Sequence, residues 1–235
     1  MVKTASDSLV LGGIIFPGLD QADFTGPFEV LTRLPGAEFL VIGRDSSAIR
    51  DVKGLLLTPD ISFDESPPLD VLLVPGGAGV NALMEDEVTL DFLRKQAAGA
   101  SLVLSVCTGA LLLGAAGLLA GRNATTHWAS HHLLALFGAN PINERVVVDG
   151  NLVTAAGVTS GIDGALRAAA ILRGEAAAQG IQLSMEYDPD PPFASGSPDS
   201  APTDVLAAVR ASMKSVMAER AEVAARVSAR LGISG

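Results

Sequence analysis

The chain has 235 residues, a formal net charge of −10, and 49% hydrophobic against 18% charged residues. That balance excludes a disordered chain and supplies the core of one α/β domain spanning residues 1–235. The acidic surplus leaves no basic footprint for nucleic acid or an anionic membrane surface, so the expected partner is a small molecule or a second copy of the chain.

A single cysteine, Cys107, rules out an intramolecular disulfide and suits a reducing cytoplasm. The opening residues 1–8 hold no long apolar stretch ahead of a cleavage site. The apolar runs at 9–16 and 109–119 are too short to span a bilayer. The expectation is a cytoplasmic protein with no membrane contact.

Residues 9–16 form a short apolar run closed by Pro17-Gly18, which predicts a buried strand. Thr25-Gly26-Pro27 predicts a helix start, with Pro27 in the first turn, and Pro35-Gly36 predicts its end. A strand follows at 38–43, then a short hairpin within 49–58 and an all-apolar strand at 71–74. Asp86 caps a helix to about residue 98, and the apolar strand 101–106 runs into Cys107 and a helix over 109–116. Thr126 is placed as the cap of a helix over 127–137, and Gly150-Asn151 as the turn of a hairpin between 145–149 and 152–155. Ser160 is placed as the cap of a helix around 162–172, with another helix at about 176–185. Residues 188–202 are an irregular Pro- and Ser-rich connection. A final amphipathic helix covers about 203–231, with Val205, Val209, Met213, Val216 and Val223 at helical spacing. Apolar strands alternating with helices predict a mainly parallel sheet covered on both faces.

The informative segment is Ser105-Val106-Cys107-Thr108-Gly109-Ala110, where an apolar strand, a one-residue turn and a small-residue helix start make a nucleophile elbow. The helix N–H groups and dipole point at the sulfur, which predicts a lowered thiol pKa. A thiolate needs a proton carrier, and loops after parallel strands gather on one rim. Asp20 and Asp23 lie in the first such loop, with Asp23 nearest the predicted helix start, where it is either a helix cap or the proton carrier. Gly76-Gly77 after the third strand, together with the Thr108 N–H, offers backbone donors for a developing negative charge. His127, in Thr126-His127-Trp128, is either a helix-start residue or a neighbour of the thiol; His131 and His132 are placed on the surface. No cluster has metal-ligand spacing and no phosphate-binding loop is present in the sequence.

Val74-Pro75-Gly76-Gly77, Ser105-Val106-Cys107-Thr108-Gly109 and Ala124-Thr125-Thr126-His127-Trp128 together resemble the PfpI-type, class I glutamine-amidotransferase-like superfamily. Within it the chain looks most like the isocyanide-hydrating members, through Asp23-Phe24-Thr25-Gly26-Pro27, Gly117-Leu118-Leu119 and the late Pro191-Pro192-Phe193 and Gly196-Ser197-Pro198-Asp199 stretch. The resemblance implies a flavodoxin-like three-layer sandwich, a homodimer, no cofactor, and hydration of an uncharged isocyanide to an N-substituted formamide. It further implies Cys107 as nucleophile, Asp23 as acid/base group, Thr108 as an orienting residue beside the sulfur, and Val158 as a branched residue that gates motion of the cysteine-bearing helix. Two departures matter. Peptidase-like members follow the cysteine with His, where this chain has Thr108, and many members place Glu where this chain has Asp23. Two other readings stay open: a glyoxalase or deglycase acting on 2-oxoaldehydes, and a non-enzymatic cysteine-based ligand or redox sensor like those of AraC-type regulators.

Overall fold

The structure, a computed structural model, describes residues 8–233; residues 1–7, most of the opening stretch read above for a leader, lie outside the described residues. In chain order the elements are β1 (Leu9–Ile14), α1 (Gln21–Leu31), β2 (Ala37–Gly43), β3 (Ile49–Arg50), β4 (Leu56–Leu57), β5 (Ile61–Ser62) and β6 (Val71–Val74). These are followed by α2 (Val80–Leu83), α3 (Glu87–Gly99), β7 (Leu102–Val106), α4 (Gly109–Ala115), β8 (Asn123–Ala124), a 3-10 helix (Trp128–Phe137) and β9 (Asn140–Pro141). The last are β10 (Val146–Asp149), β11 (Leu152–Ala155), α5 (Ser160–Arg173), α6 (Glu175–Ser184) and α7 (Thr203–Arg230).

Seven strands form one sheet in the order β10-β11-β7-β6-β1-β2-β5, parallel except for the β10–β11 hairpin. β6 and β7, in its middle, are buried at every residue, which is why their sequences are continuous apolar runs rather than alternating ones. Helices α1, α5 and α6 cover one face; α2, α3, α4, the 3-10 helix and α7 pack together on the other. The expected three-layer α/β architecture with a mainly parallel sheet is present. Its consequence for function is topological: the loops after β1, β6, β7 and β11 come together on one rim of the sheet.

Three predicted helix starts are placed differently. Helix α1 begins at Gln21, four residues before Thr25-Gly26-Pro27, because Asp20 caps it by accepting the Ala22 N–H at 3.1 Å. Pro27 is therefore inside the helix, and Asp23 sits in the first turn rather than at the cap. Thr126 does not cap the helix that follows; His127 does, through its own ring nitrogen. Ser160 is the first residue of α5 and its hydroxyl bonds back to Gly157 O. The surface placement holds for His132, whereas His131 is half-buried with an enclosed, unpartnered Nε2.

Helix α7 is buried only along its C-terminal half. Arg220, Val223, Ala224, Val227 and Ser228 pack inward, whereas Val205 and Val209, expected on the apolar face, are exposed. No helix among the described residues is long and apolar enough to cross a membrane.

Candidate active site

Cys107 directly follows β7, which ends at Val106, and with Thr108 makes the turn into α4, which starts at Gly109. Its φ is 55°, in the left-handed region that costs a non-glycine residue about 1–2 kcal/mol. Two hydrogen bonds hold it there: its N–H donates to Ala155 O at 3.0 Å, and Thr126 Oγ1 donates to its carbonyl at 2.6 Å. Gly109 makes the elbow sterically feasible, since a Cβ there would lie 2.1 Å from Val74 O. The residue is 8% exposed, so it sits at the rim but is almost closed over.

Asp23 is fully buried. Its Oδ2 accepts the Gly76 N–H at 3.0 Å, and Oδ1 is enclosed without a partner of hydrogen-bonding geometry. Burial, reinforced by the nearby Asp20 carboxylate, pushes its pKa up to about 7, against the pull of the Gly76 N–H and the Cys107 thiol. Burial also pushes the Cys107 thiol well above its usual range, and the Asp23 carboxylate adds to that push. The Thr108 N–H and Arg220 oppose it. The lowered thiol pKa predicted from the helix start is thus not found: α4 is seven residues long, and desolvation outweighs its donors. The result is a carboxyl and a thiol packed together out of water, each suited to hold a proton that the other has lost.

Thr108 and the glycine turn interlock. Thr108 Oγ1 accepts the Gly77 N–H at 3.0 Å and faces Gly77 O at 3.2 Å. Both glycine N–H groups expected as anion donors are therefore committed, Gly76 to Asp23 and Gly77 to Thr108, leaving the Thr108 N–H directed at the sulfur. His127 accepts the Ala129 N–H at Nδ1 over 3.3 Å, so a neutral ring carries its proton on Nε2. Burial and then Arg220 lower its pKa, which favours that neutral form. It makes no hydrogen bond to Cys107 and instead borders Gly157 in the turn after β11. Val158, half-buried, lies in that same turn, its carbonyl accepting the Gly161 N–H at 3.2 Å. Among the described residues no group of His, Cys, Asp and Glu could hold a metal ion.

Residues 13–170 match the DJ-1/PfpI family. The chain belongs to the DJ-1/PfpI family. It is 50% identical over 226 residues to the isonitrile hydratase of Pseudomonas putida, a match covering 96% of this chain and 99% of that one. The crystal structure of a THiJ/PfpI family protein from Pseudomonas syringae superposes with a TM-score of 0.90 at 38% identity, covering 93% of this chain and 91% of that one. Drosophila melanogaster DJ-1beta superposes with a TM-score of 0.70 at 28% identity, over 77% of this chain and 98% of its own. The superfamily and the fold expected from the motifs are those found.

One site residue of this DJ-1/PfpI chain escaped the sequence reading. Arg220, on α7 and outside the 13–170 family match, is 4% exposed and reaches the glycine turn, its Nη2 donating to Gly77 O at 3.2 Å. The signal was an arginine between Val216 and Val223 on the helix face that turns inward; amphipathic spacing alone treats such a residue as a boundary of the apolar stripe.

Proposed function

We propose that this DJ-1/PfpI protein is an isocyanide hydratase that converts R–N≡C and water into R–NH–CHO, with Cys107 as nucleophile and Asp23 as the proton carrier. The observation that carries the reading is the buried Asp23–Cys107 pair, its carboxyl poised at about 7, in a chain half identical over nearly its whole length to an isonitrile hydratase. A group that must take a proton and return it in one turnover works best with a pKa near the operating pH.

Asp23 takes the thiol proton as the sulfur attacks the terminal carbon of the isocyanide, then gives that proton to the same carbon. The product is a thioimidate, R–N=CH–S–Cys107. Water adds across the C=N bond, one of its protons going to nitrogen. The C–S bond then breaks, the remaining hydroxyl proton passes to sulfur, and R–NH–CHO leaves. Thr108 orients this pair, its N–H toward the sulfur and its hydroxyl locking Gly77. Val158, on the rim after β11, is a candidate gate for motion of the cysteine-bearing helix α4.

An uncharged substrate suits a rim whose groups are so thoroughly desolvated. A single reactive thiol in a chain without cystines suits a reducing compartment, the cytoplasm. A homodimer is the expected assembly, supported by the exposed Val205 and Val209, one turn apart on α7, which a second copy would cover. The test is purified protein given an aryl isocyanide and, separately, methylglyoxal. Formamide formation without loss of methylglyoxal is expected; methylglyoxal consumption without formamide would overturn the reading.

A further inference from the structure

Arg220 is a buried cation with an unusual set of partners. Its Nε donates to Asn81 Oδ1 at 2.9 Å, Nη1 to Ser130 Oγ at 3.1 Å and Nη2 to Gly77 O at 3.2 Å. All three acceptors are neutral, and Arg220 forms no ion pair within 4.0 Å among the described residues. The adjacent Glu219 is exposed, and its carboxylate accepts from Asn81 Nδ2 at 2.9 Å rather than from the guanidinium. Burying a charge whose one carboxylate neighbour, Glu219, is exposed and reaches it only through Asn81 is costly, and a group kept in that state is explained most simply by a negative charge that appears during function.

The anchor point says where that charge appears. The Gly76–Gly77 turn is held from three directions: the Gly76 N–H by Asp23, the Gly77 N–H by Thr108 Oγ1, and the Gly77 carbonyl by Arg220. Thr108 in turn aims its own N–H at the sulfur. From Arg220 to Cys107 is therefore a short run of peptide and hydroxyl dipoles, all on the rim where the thiol lies.

We propose that Arg220 is a positioning residue for the thiol chemistry: it fixes the glycine turn through Gly77 O, and its buried charge balances the negative charge that develops at Cys107. The inference rests on the nucleophilic role of Cys107 but not on the identity of the electrophile. It gives α7 a function beyond packing, since this helix lies outside the family-wide match and carries a charge into the site. The charged and titratable groups around the pair are Asp20 and Asp23 from α1 and its loop, His127 ahead of the 3-10 helix, and Glu219 beside Arg220.

The test is alkylation of Cys107 by iodoacetamide as a function of pH, which reads thiolate directly and needs no isocyanide. Arg220→Gln keeps a donor for Gly77 O and drops the charge. Its alkylation at pH 7 is expected to be about tenfold slower than wild type, with the profile displaced to higher pH. Arg220→Lys keeps the charge but not the three-way fork, and is expected to fall between the two. Thermal denaturation identifies which variants are folded, and either folded variant decides the matter. A profile displaced in the stated order supports the proposal, and a folded variant with the wild-type profile overturns it. Displaced profiles in a protein that forms no formamide would leave this inference standing and remove only the isocyanide reading.

Discussion

Asp23 and Gly76 are separated by 53 residues and joined by one buried hydrogen bond of 3.0 Å, from the Gly76 N–H to Asp23 Oδ2. That bond ties the first turn of α1 to the loop after β6. It holds the carboxyl in one orientation, with Oδ1 left over in a dry space beside the thiol. A carboxyl so placed is an expensive feature for stability and a useful one for moving a proton.

Asp23→Asn preserves shape and the Gly76 contact but removes the titratable proton. Formamide production is expected to drop by about 10²–10⁴-fold, the range spanned by single general acid–base groups. Turnover by the purified variant, compared with wild type at equal concentration of folded protein, is the measurement. Wild-type rates would show that the carboxyl does not carry the proton.

The pH dependence has a definite sign. Because the Asp23 pKa is raised from 3.8 to about 7, the folded state holds a proton that the unfolded state has released between those values. Stability from this group is therefore fullest below pH 4 and is lost as pH rises through about 7, by something on the order of 4 kcal/mol. Asp23→Asn, which never ionises, should be more stable than wild type at pH 8, with the difference shrinking toward pH 4. Denaturant unfolding at the two pH values checks this. In parallel, the wild-type kcat/KM profile should inflect near 7, and that inflection should be absent from the residual activity of the Asn variant.

Gly76→Ala tests how closely the rim is packed. A Cβ at residue 76 would lie 2.5 Å from Thr108 N and 2.9 Å from Asp23 Oδ2. Both neighbours belong to the site and one is backbone, so the variant is expected to lose about 1–3 kcal/mol and most of its activity. Its melting temperature and turnover should fall together.

Thr126→Val removes the hydroxyl that bonds the Cys107 carbonyl at 2.6 Å and leaves that buried acceptor unsatisfied. A loss of about 1–3 kcal/mol is expected by denaturant unfolding. Alkylation of Cys107 should also become faster, because the left-handed elbow is no longer pinned on both sides.

The parts of this site that sequence reading reached are those with short-range causes. The elbow at Cys107 is written in six consecutive residues, and the buried strands in their unbroken apolar runs. What it misplaced has long-range causes. Thr126 and Ser160 look like helix caps, but their hydroxyls are taken by Cys107 O and Gly157 O. Local propensity favours a cap and tertiary partners override it. The thiol pKa went the wrong way for a similar reason: helix donors can be read from sequence, whereas the depth of burial that outweighs them cannot. Arg220 lies 113 positions past Cys107 and reaches the glycine turn beside it only because α7 folds back over α2 and α4. Nothing local marks it beyond a charge on a buried helix face.

The most direct measurement of the central claim is formamide formation from an aryl isocyanide by wild type beside Cys107→Ala, each first shown to be folded. The account predicts steady turnover by wild type and none above background by the alanine variant, which leaves Asp23 with no thiol to serve. Formamide formation at comparable rates by both proteins would contradict it, because the chemistry would then run without the residue on which the whole rim converges.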